Sequence, residues 1–182
     1  VMKQVQSKMH MKEVEICYGM TETSPVSTQT SIGTPLDKQV GTVGTVLDHI
    51  EIKIIDPDTG KLQNRNLPGE LCTRGYSVML GYWNNHQATS EAIDRAGWMH
   101  SGDLAMMDDE GYINIVGRIK DMILRGGENI YPREIEEFLY TNEAIEDVQV
   151  IGVPSEKYGE EIMAWVKVKS GYSVTFDDLA GF

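Results

Sequence analysis

From Gly41 to Leu80 the sequence carries a β signal. Ile50, Ile52 and Ile54 alternate with His49, Glu51 and Lys53, so a strand over these residues has one apolar face. Asp56-Pro57-Asp58-Thr59-Gly60 reads as a turn, with proline early and glycine late. Leu67-Pro68-Gly69 reads as a second turn, and Glu70 to Arg74 as a second strand. Strands this short and this close predict a small barrel or sandwich.

The flanks read differently. Gln4 to Lys12 reads as the end of a helix feeding a short strand, Val14 to Tyr18. Thr21 to Gln39 is rich in Ser and Thr without periodicity, which predicts an ordered loop. A short helix is expected after Thr89 or Ser90 as N-cap, with Ala92 and Ile93 turned inward. Trp98 to Met107 leads to an acidic turn, Asp108 to Gly111, and a strand, Tyr112 to Val116. Beyond Gly117 the character changes. Met122 to Leu124 is apolar, Gly126-Gly127 breaks it, and Pro132 opens a helix at its first position. Ile135, Phe138 and Leu139 share one face of that helix. Asp147 to Val153 and Ile162 to Val168 read as strands, which completes a small α+β lobe. Thr175-Phe176-Asp177-Asp178 resembles the start of a capped helix. A chain that stops at Phe182, about a turn later, is expected to be truncated there, because an isolated turn stabilises nothing.

Composition excludes some functions. The chain has 182 residues, 41% hydrophobic and 24% charged, as expected of a globular protein with one core or two small lobes. Its 16 basic and 28 acidic residues give a formal charge of −12, which argues against nucleic acid or anionic membrane as partner. A nucleotide would need a local site. No apolar run approaches the ~18 residues of a membrane span, and Val1-Met2-Lys3-Gln4 is not a signal peptide. The expected location is the cytoplasm, or the mitochondrion if a targeting peptide lies upstream. Cys17 and Cys72 lack metal-type spacing and are expected to be buried, reduced thiols.

Three clusters carry candidate chemistry. Tyr18-Gly19-Met20-Thr21-Glu22-Thr23-Ser24-Pro25 offers an aromatic face, a glycine for close backbone approach, hydroxyls and a carboxylate. These suit a purine, a phosphate and a Mg²⁺ ion held by few protein ligands; they equally suit an ordinary solvated loop. Trp98-Met99-His100-Ser101-Gly102-Asp103 places Asp103 where a strand is expected to begin. An aspartate there can accept ribose hydroxyls or simply make a turn. Gly117-Arg118-Ile119-Lys120-Asp121 and Arg125-Gly126-Gly127-Glu128-Asn129 place cations and a glycine pair in a mostly acidic chain. Arg118 can pair with a phosphate or carboxylate, and Lys120-Asp121 marks a possible domain joint. A glycine pair supplies unusual backbone angles and room for a ligand. An exposed hairpin with surface ion pairs satisfies the same residues.

In this order and spacing, the three clusters resemble successive signature motifs of the adenylate-forming superfamily. That superfamily includes acyl-CoA synthetases, peptide-synthetase adenylation domains and beetle luciferases. Pro68-Gly-Glu-Leu-Cys-Thr-Arg-Gly75 and Met79-Leu-Gly-Tyr-Trp83 look like a further family stretch, and the resemblance runs over nearly the whole chain. Gly126-Gly-Glu-Asn-Ile-Tyr-Pro132 has the form typical of fatty and related acyl-CoA synthetases, and the wording is most similar to the medium-chain branch.

The resemblance implies a two-step reaction: ATP and a carboxylic acid give acyl-adenylate and pyrophosphate, then the coenzyme A thiol displaces AMP. It implies an α+β fold: residues 1–119 as the end of a large AMP-binding domain, with a barrel-like β subdomain over about 41–119, then a hinge and a truncated small domain over 120–182. It implies roles by position. Tyr18 packs near adenine, with Gly19 beside it in the nucleotide set. Thr21 contacts the α-phosphate and Glu22 holds Mg²⁺. Asp103 binds ribose and Arg118 reaches the nucleotide. Lys120 is the hinge about which the small domain swings between half-reactions. Gly126, Gly127 and Glu128 face the active site when the thioester forms. Ser101 stands where Thr is common and keeps a hydroxyl.

The family's phosphate-gripping loop, rich in Ser, Thr and Gly and ending in Lys-Gly, is not in the chain. Neither is its catalytic lysine, expected downstream of Phe182. Lys167 and Lys169 lie in an expected strand and do not replace it. The chain alone is therefore expected to be inactive. Two other readings remain open: a natural short module that binds a nucleotide or partner, and an aryl-acid ligase of the same superfamily. A carrier-protein-loading domain fits the Glu128-Asn129 pair less well.

Overall fold

The computed structural model describes residues 2–11 and 13–182. It divides into two compact units, Val1–Ile115 and Val116–Phe182. In the first unit, α1 (Met2–Lys8) precedes β1 (Cys17–Gly19), β2 (Val26–Gln29), α2 (Leu36–Gly41) and β3 (Thr45–Val46). β1, β2 and β3 form a three-stranded antiparallel sheet. β4 (Ile50–Ile55), β5 (Gly69–Gly75), α3 (His86–Ala92), β6 (Met99–Met107) and β7 (Ile113–Arg118) follow, and the strands form a four-stranded sheet in the order β4-β5-β6-β7. Ile54, Leu71, Ala105 and Ile113 make its buried cluster, with Tyr18, Val43, Ile52, Met107 and Ile115 packed against them.

The alternation holds at the start of β4, where Ile50 is buried and Glu51 exposed; at its end Ile54 and Ile55 are both buried. The expected barrel is not there. The strands form two open antiparallel sheets, because a closed barrel needs a register that returns to the first strand. Thr21 to Gln39 is also more ordered than a loop. It holds a 3₁₀ turn (Thr21–Thr23), β2 and much of α2. The buried positions of β2 carry hydroxyl side chains in place of aliphatic ones. Ser27 and Thr28 are buried in it, and the Thr28 hydroxyl donates to Val43 O at 2.8 Å. A satisfied hydroxyl can be buried at little cost, so the strand escapes a hydrophobic pattern. The expected strand over Val14 to Tyr18 is confined to Cys17–Gly19. There Tyr18 turns inward and Cys17 outward, so Cys17 is exposed and only Cys72 is buried. The expected helix end at Gln4 to Lys12 stops at Lys8, and Lys12 lies outside the described residues.

The N-cap of α3 is Asn85, whose side chain accepts from Ala88 N, not Thr89 or Ser90. Thr89 instead donates its hydroxyl to Asn85 O at 2.8 Å.

The second unit opens with residues 116–118 of β7 and contains β8 (Ile123–Arg125), β9 (Glu128–Ile130), α4 (Pro132–Leu139), β10 (Ile145–Ser155), β11 (Gly159–Val168) and α5 (Phe176–Ala180). Its sheet runs β10-β11-β8-β9, antiparallel throughout. Ile123, Leu139, Ile145, Val148 and Val150 form the core. Pro132 stands at the first position of α4 as expected. The Glu136 carboxylate accepts Val150 N at 2.8 Å and ties the helix to β10. Phe138 is not on the buried face; it is exposed and meets the Phe182 ring at 5.1 Å. Thr175 and Asp178 form the expected capping box of α5.

Candidate functional site

Two candidate residues far apart in sequence meet in the first unit. The Tyr18 hydroxyl donates to Asp103 Oδ2 at 2.6 Å, in the short range of charge-assisted hydrogen bonds. Tyr18 reaches Asp103 because β1 turns its ring toward the buried cluster of the four-stranded sheet. Gly19 follows where β1 and β2 close up. A Cβ built on it would lie 1.6 Å from Pro25 O and 2.8 Å from Val26 Cα. The close approach expected of this glycine is therefore made to the chain's own backbone.

Asp103 does not open a strand; it lies inside β6, at an irregularity. Glu70 pairs with Leu104 while Cys72 pairs with His100, so β6 carries extra residues over Ser101, Gly102 and Asp103. Gly102 has φ +71°, a conformation other residues adopt only with strain. A bulge of this kind re-aims a side chain out of the ladder. It is braced on both sides. The Ser101 hydroxyl donates to Leu71 O at 2.6 Å, Asp103 N donates to Ser101 Oγ at 3.1 Å, and Gly102 N donates to Glu70 Oε1 at 3.1 Å. His100 Nδ1 lies 2.8 Å from Glu70 Oε2 and 3.6 Å from Cys72 Sγ.

Glu70 and His100 belong to the sequence motifs of β5 and β6, but their pairing is tertiary and leaves no local pattern in the sequence. Glu70, Cys72 and His100 place potential metal-ligand atoms within 4.8 Å of one another. The chemistry of the donors does not favour an ion. Both Glu70 oxygens already serve the bulge, and burial pushes the Cys72 thiol up to about 12, so it stays protonated. The trio reads as a hydrogen-bonded support for the Asp103 turn.

Thr21 and Glu22 share the 3₁₀ turn after β1. Thr23, buried beneath it, anchors the turn: its hydroxyl accepts Met20 N and donates to Met20 O or Pro25 O. Thr21 is exposed and Glu22 half-buried. Glu22 O accepts Met79 N at 2.8 Å, and Glu22 Oε1 accepts the Tyr82 hydroxyl at 2.8 Å. Among the described residues, no donor faces Oε2. Tyr82 belongs to the Met79-Leu-Gly-Tyr-Trp83 stretch, and its contact with Glu22 leaves no local signal in the sequence.

The remaining candidates belong to the second unit. Arg118 ends β7 and is exposed; Lys120 is exposed in the 3₁₀ turn Ile119–Asp121. Gly126 and Gly127 have φ +60° and +91° between the paired Arg125 and Glu128, the arrangement of a type I′ hairpin turn. Glu128 is exposed. The hairpin is held from the turn before β11: Gly126 N donates to Tyr158 O at 2.8 Å, and the Arg125 guanidinium lies 4.1 Å from the Tyr158 ring centre. Arg125 also pairs with Glu161 through both of its carboxylate oxygens, which holds the Glu161 carboxyl below its ordinary range. Among the described residues, no helix is long and apolar enough to cross a membrane.

Residues 1–83 match the family of AMP-binding enzymes, and residues 134–181 match the AMP-binding enzyme C-terminal domain. The putative acyl-CoA synthetase YngI of Bacillus subtilis is 54% identical over the whole chain, which spans 33% of that protein. The mitochondrial medium-chain acyl-CoA ligase ACSF2 of Bos taurus is 47% identical over 97% of the chain, which spans 29% of it. The chain thus spans about a third of the length of these curated relatives. Among solved structures, ATP-bound MatB from Rhodopseudomonas palustris matches with TM-score 0.85 and 34% identity, over 91% of this chain and 32% of that one. The Bacillus subtilis o-succinylbenzoate-CoA synthetase MenE, in complex with an acyl-adenylate intermediate, matches with TM-score 0.80 and 31% identity, over 94% of this chain and 34% of that one. With both family models matched in order along one chain, and acyl-CoA synthetases aligned over its whole length, the chain belongs to the AMP-binding, adenylate-forming enzymes.

Proposed function

We propose that this chain is a segment of an AMP-forming acyl-CoA ligase that activates a fatty or related carboxylic acid. In the first step the acid's carboxylate oxygen attacks the α-phosphorus of ATP and pyrophosphate leaves. In the second the coenzyme A sulfur, losing its proton, attacks the acyl carbon and AMP leaves. The observation that carries the reading is the Tyr18–Asp103 hydrogen bond, because it joins two motif residues 85 positions apart at one place in the fold.

On this reading Tyr18 presents its ring to adenine, while its hydroxyl fixes the Asp103 carboxylate to receive the ribose hydroxyls. Gly19 lets the strand carrying Tyr18 close against Pro25. Thr21, exposed on its turn, donates to the α-phosphate. Glu22 suits Mg²⁺: among the described residues none donates to its Oε2, and hard oxygen ligands are what that ion takes. Bound there, Mg²⁺ would neutralise charge building on the phosphates. Arg118 adds a cation to the nucleotide site. Lys120 is the hinge between a domain ending at 119 and the small domain from 120, and the Gly126-Gly127-Glu128 turn faces the coenzyme A side. The phosphate-gripping loop, the acyl pocket and the catalytic lysine belong to the rest of the protein. ACSF2, a mitochondrial ligase by name, and the bacterial relative leave cytoplasm and mitochondrion as the two proposed locations.

The test is made on the full-length protein. ATP, coenzyme A and a panel of straight-chain and aryl acids should give AMP and acyl-CoA, fastest with straight-chain acids. Asp103→Ala should raise the KM for ATP about 10–100-fold, the loss of a charged hydrogen bond, with the KM for coenzyme A unchanged. AMP formation with no acid in the panel, or an unchanged KM for ATP, overturns the reading.

A further inference from the structure

We propose that Tyr82 is a positioning residue that holds the Glu22 carboxylate so that it offers a metal one oxygen, Oε2, and not two. The inference rests on the metal-binding role of Glu22 proposed above. Tyr82 lies 60 residues from Glu22 in sequence, yet its hydroxyl donates to Oε1 at 2.8 Å. That oxygen is committed, and Oε2 is the one left for a ligand. Mg²⁺ demands near-octahedral geometry, keeps several waters and takes few protein carboxylates. A carboxylate anchored through one oxygen meets that demand better than one free to rotate and chelate.

Both ends of the contact are fixed. Glu22 rides on a turn whose Thr23 is buried, and its own carbonyl accepts Met79 N at 2.8 Å. Tyr82 N donates to Thr89 Oγ1 at 2.9 Å, and that hydroxyl donates to Asn85 O at 2.8 Å. Between Met79 and Tyr82, Gly81 has φ +146°, and a Cβ there would come 2.8 Å from Thr89 Cγ2. The segment thus ties Tyr82 to α3 while Met79 ties the same segment to Glu22. A free glutamate side chain loses rotamer freedom when a ligand orders it; here the ordering precedes the metal.

The test is direct. Mn²⁺ binding to the full-length protein with ATP present is measured by electron paramagnetic resonance for the wild type, Tyr82→Phe, Glu22→Gln and the double variant. Tyr82 is 38% exposed and phenylalanine keeps the ring, so the fold should survive; a thermal melt checks it. Tyr82→Phe should weaken Mn²⁺ about 10–100-fold, the usual effect of losing a hydrogen-bonding partner of a metal ligand. The double variant should be no weaker than Glu22→Gln, because the tyrosine acts only through the glutamate. If Glu22→Gln weakens Mn²⁺ and Tyr82→Phe does not, the positioning role is wrong and the metal reading stands. If Glu22→Gln leaves Mn²⁺ binding unchanged, both are wrong. A Tyr82→Phe protein that melts earlier but binds Mn²⁺ as tightly makes the contact a structural tie and overturns the proposal.

Discussion

Cys72 sits in β5 with its thiol out of water, and Cys17 stands exposed on β1. Burial, with a smaller contribution from the Glu70 charge, pushes the Cys72 thiol from about 9.0 up to about 12. A thiol-reactive dye at neutral pH should therefore label Cys17 quickly and Cys72 only after denaturation. The same shift sets a dependence of stability on pH. The folded state keeps the thiol proton above pH 9.0, whereas the unfolded chain releases it. Stability from this group is complete below pH 9.0 and is lost as pH rises toward about 12. The added slope approaches about 1.4 kcal/mol per pH unit. Urea unfolding on the alkaline side should show that slope in the wild type and not in Cys72→Ala. Equal slopes would mean that the thiol is solvated. None of this could be read from the sequence, where the two cysteines look alike; the difference is set by which face of its strand each one occupies.

The β8–β9 hairpin shows how far an element can be read. The glycine pair predicted unusual backbone angles, and both residues have positive φ. At Gly127 a side chain meets no steric obstacle, so Gly127→Ala should cost only the left-handed backbone, about 1–2 kcal/mol. Gly126→Asn should cost little, because asparagine followed by glycine is a favoured type I′ pair. Hydrogen exchange at the β10 and β11 amides reads the second unit alone; a smaller effect from Gly127→Ala than from Gly126→Asn would refute the turn assignment. Elsewhere legibility followed the kind of signal. The alternating isoleucines of β4 and the proline at the start of α4 were plain, because periodicity and φ restriction are local. β2 was hidden because its buried positions are hydroxyls satisfied by hydrogen bonds. Asn85 was missed because Thr89, a good cap by type, spends its hydroxyl on the preceding turn. The candidate residues stand in motifs that the sequence displays, but what joins them in space is not visible there. Tyr18 to Asp103, Glu70 to the Gly102 turn, and Tyr82 to Glu22 are contacts of folding, separated by 85, 32 and 60 residues.

At the scale of the whole molecule the question is charge. Adenylation brings a carboxylate against a triphosphate, and this chain carries a formal charge of −12. Without local cations around the α-phosphate, repulsion opposes both binding and reaction. Glu22 and Asp103 hold metal and ribose on the proposed reading, yet both add negative charge. Arg118 and Lys120 are the basic residues proposed for the nucleotide side and the hinge, and the chain spans about a third of the length of its curated relatives. The purified 182-residue polypeptide should therefore form no detectable acyl-CoA from ATP, coenzyme A and any acid of the panel, under conditions where the full-length protein turns over. Isothermal titration should also find ATP bound far more weakly by the segment than by the full-length protein, since one acidic cluster and one arginine cannot replace a loop of backbone donors and a lysine. Turnover by the segment alone, retained after repurification and abolished by Asp103→Ala, would show that these residues make a complete catalyst and that the proposed division of labour is wrong.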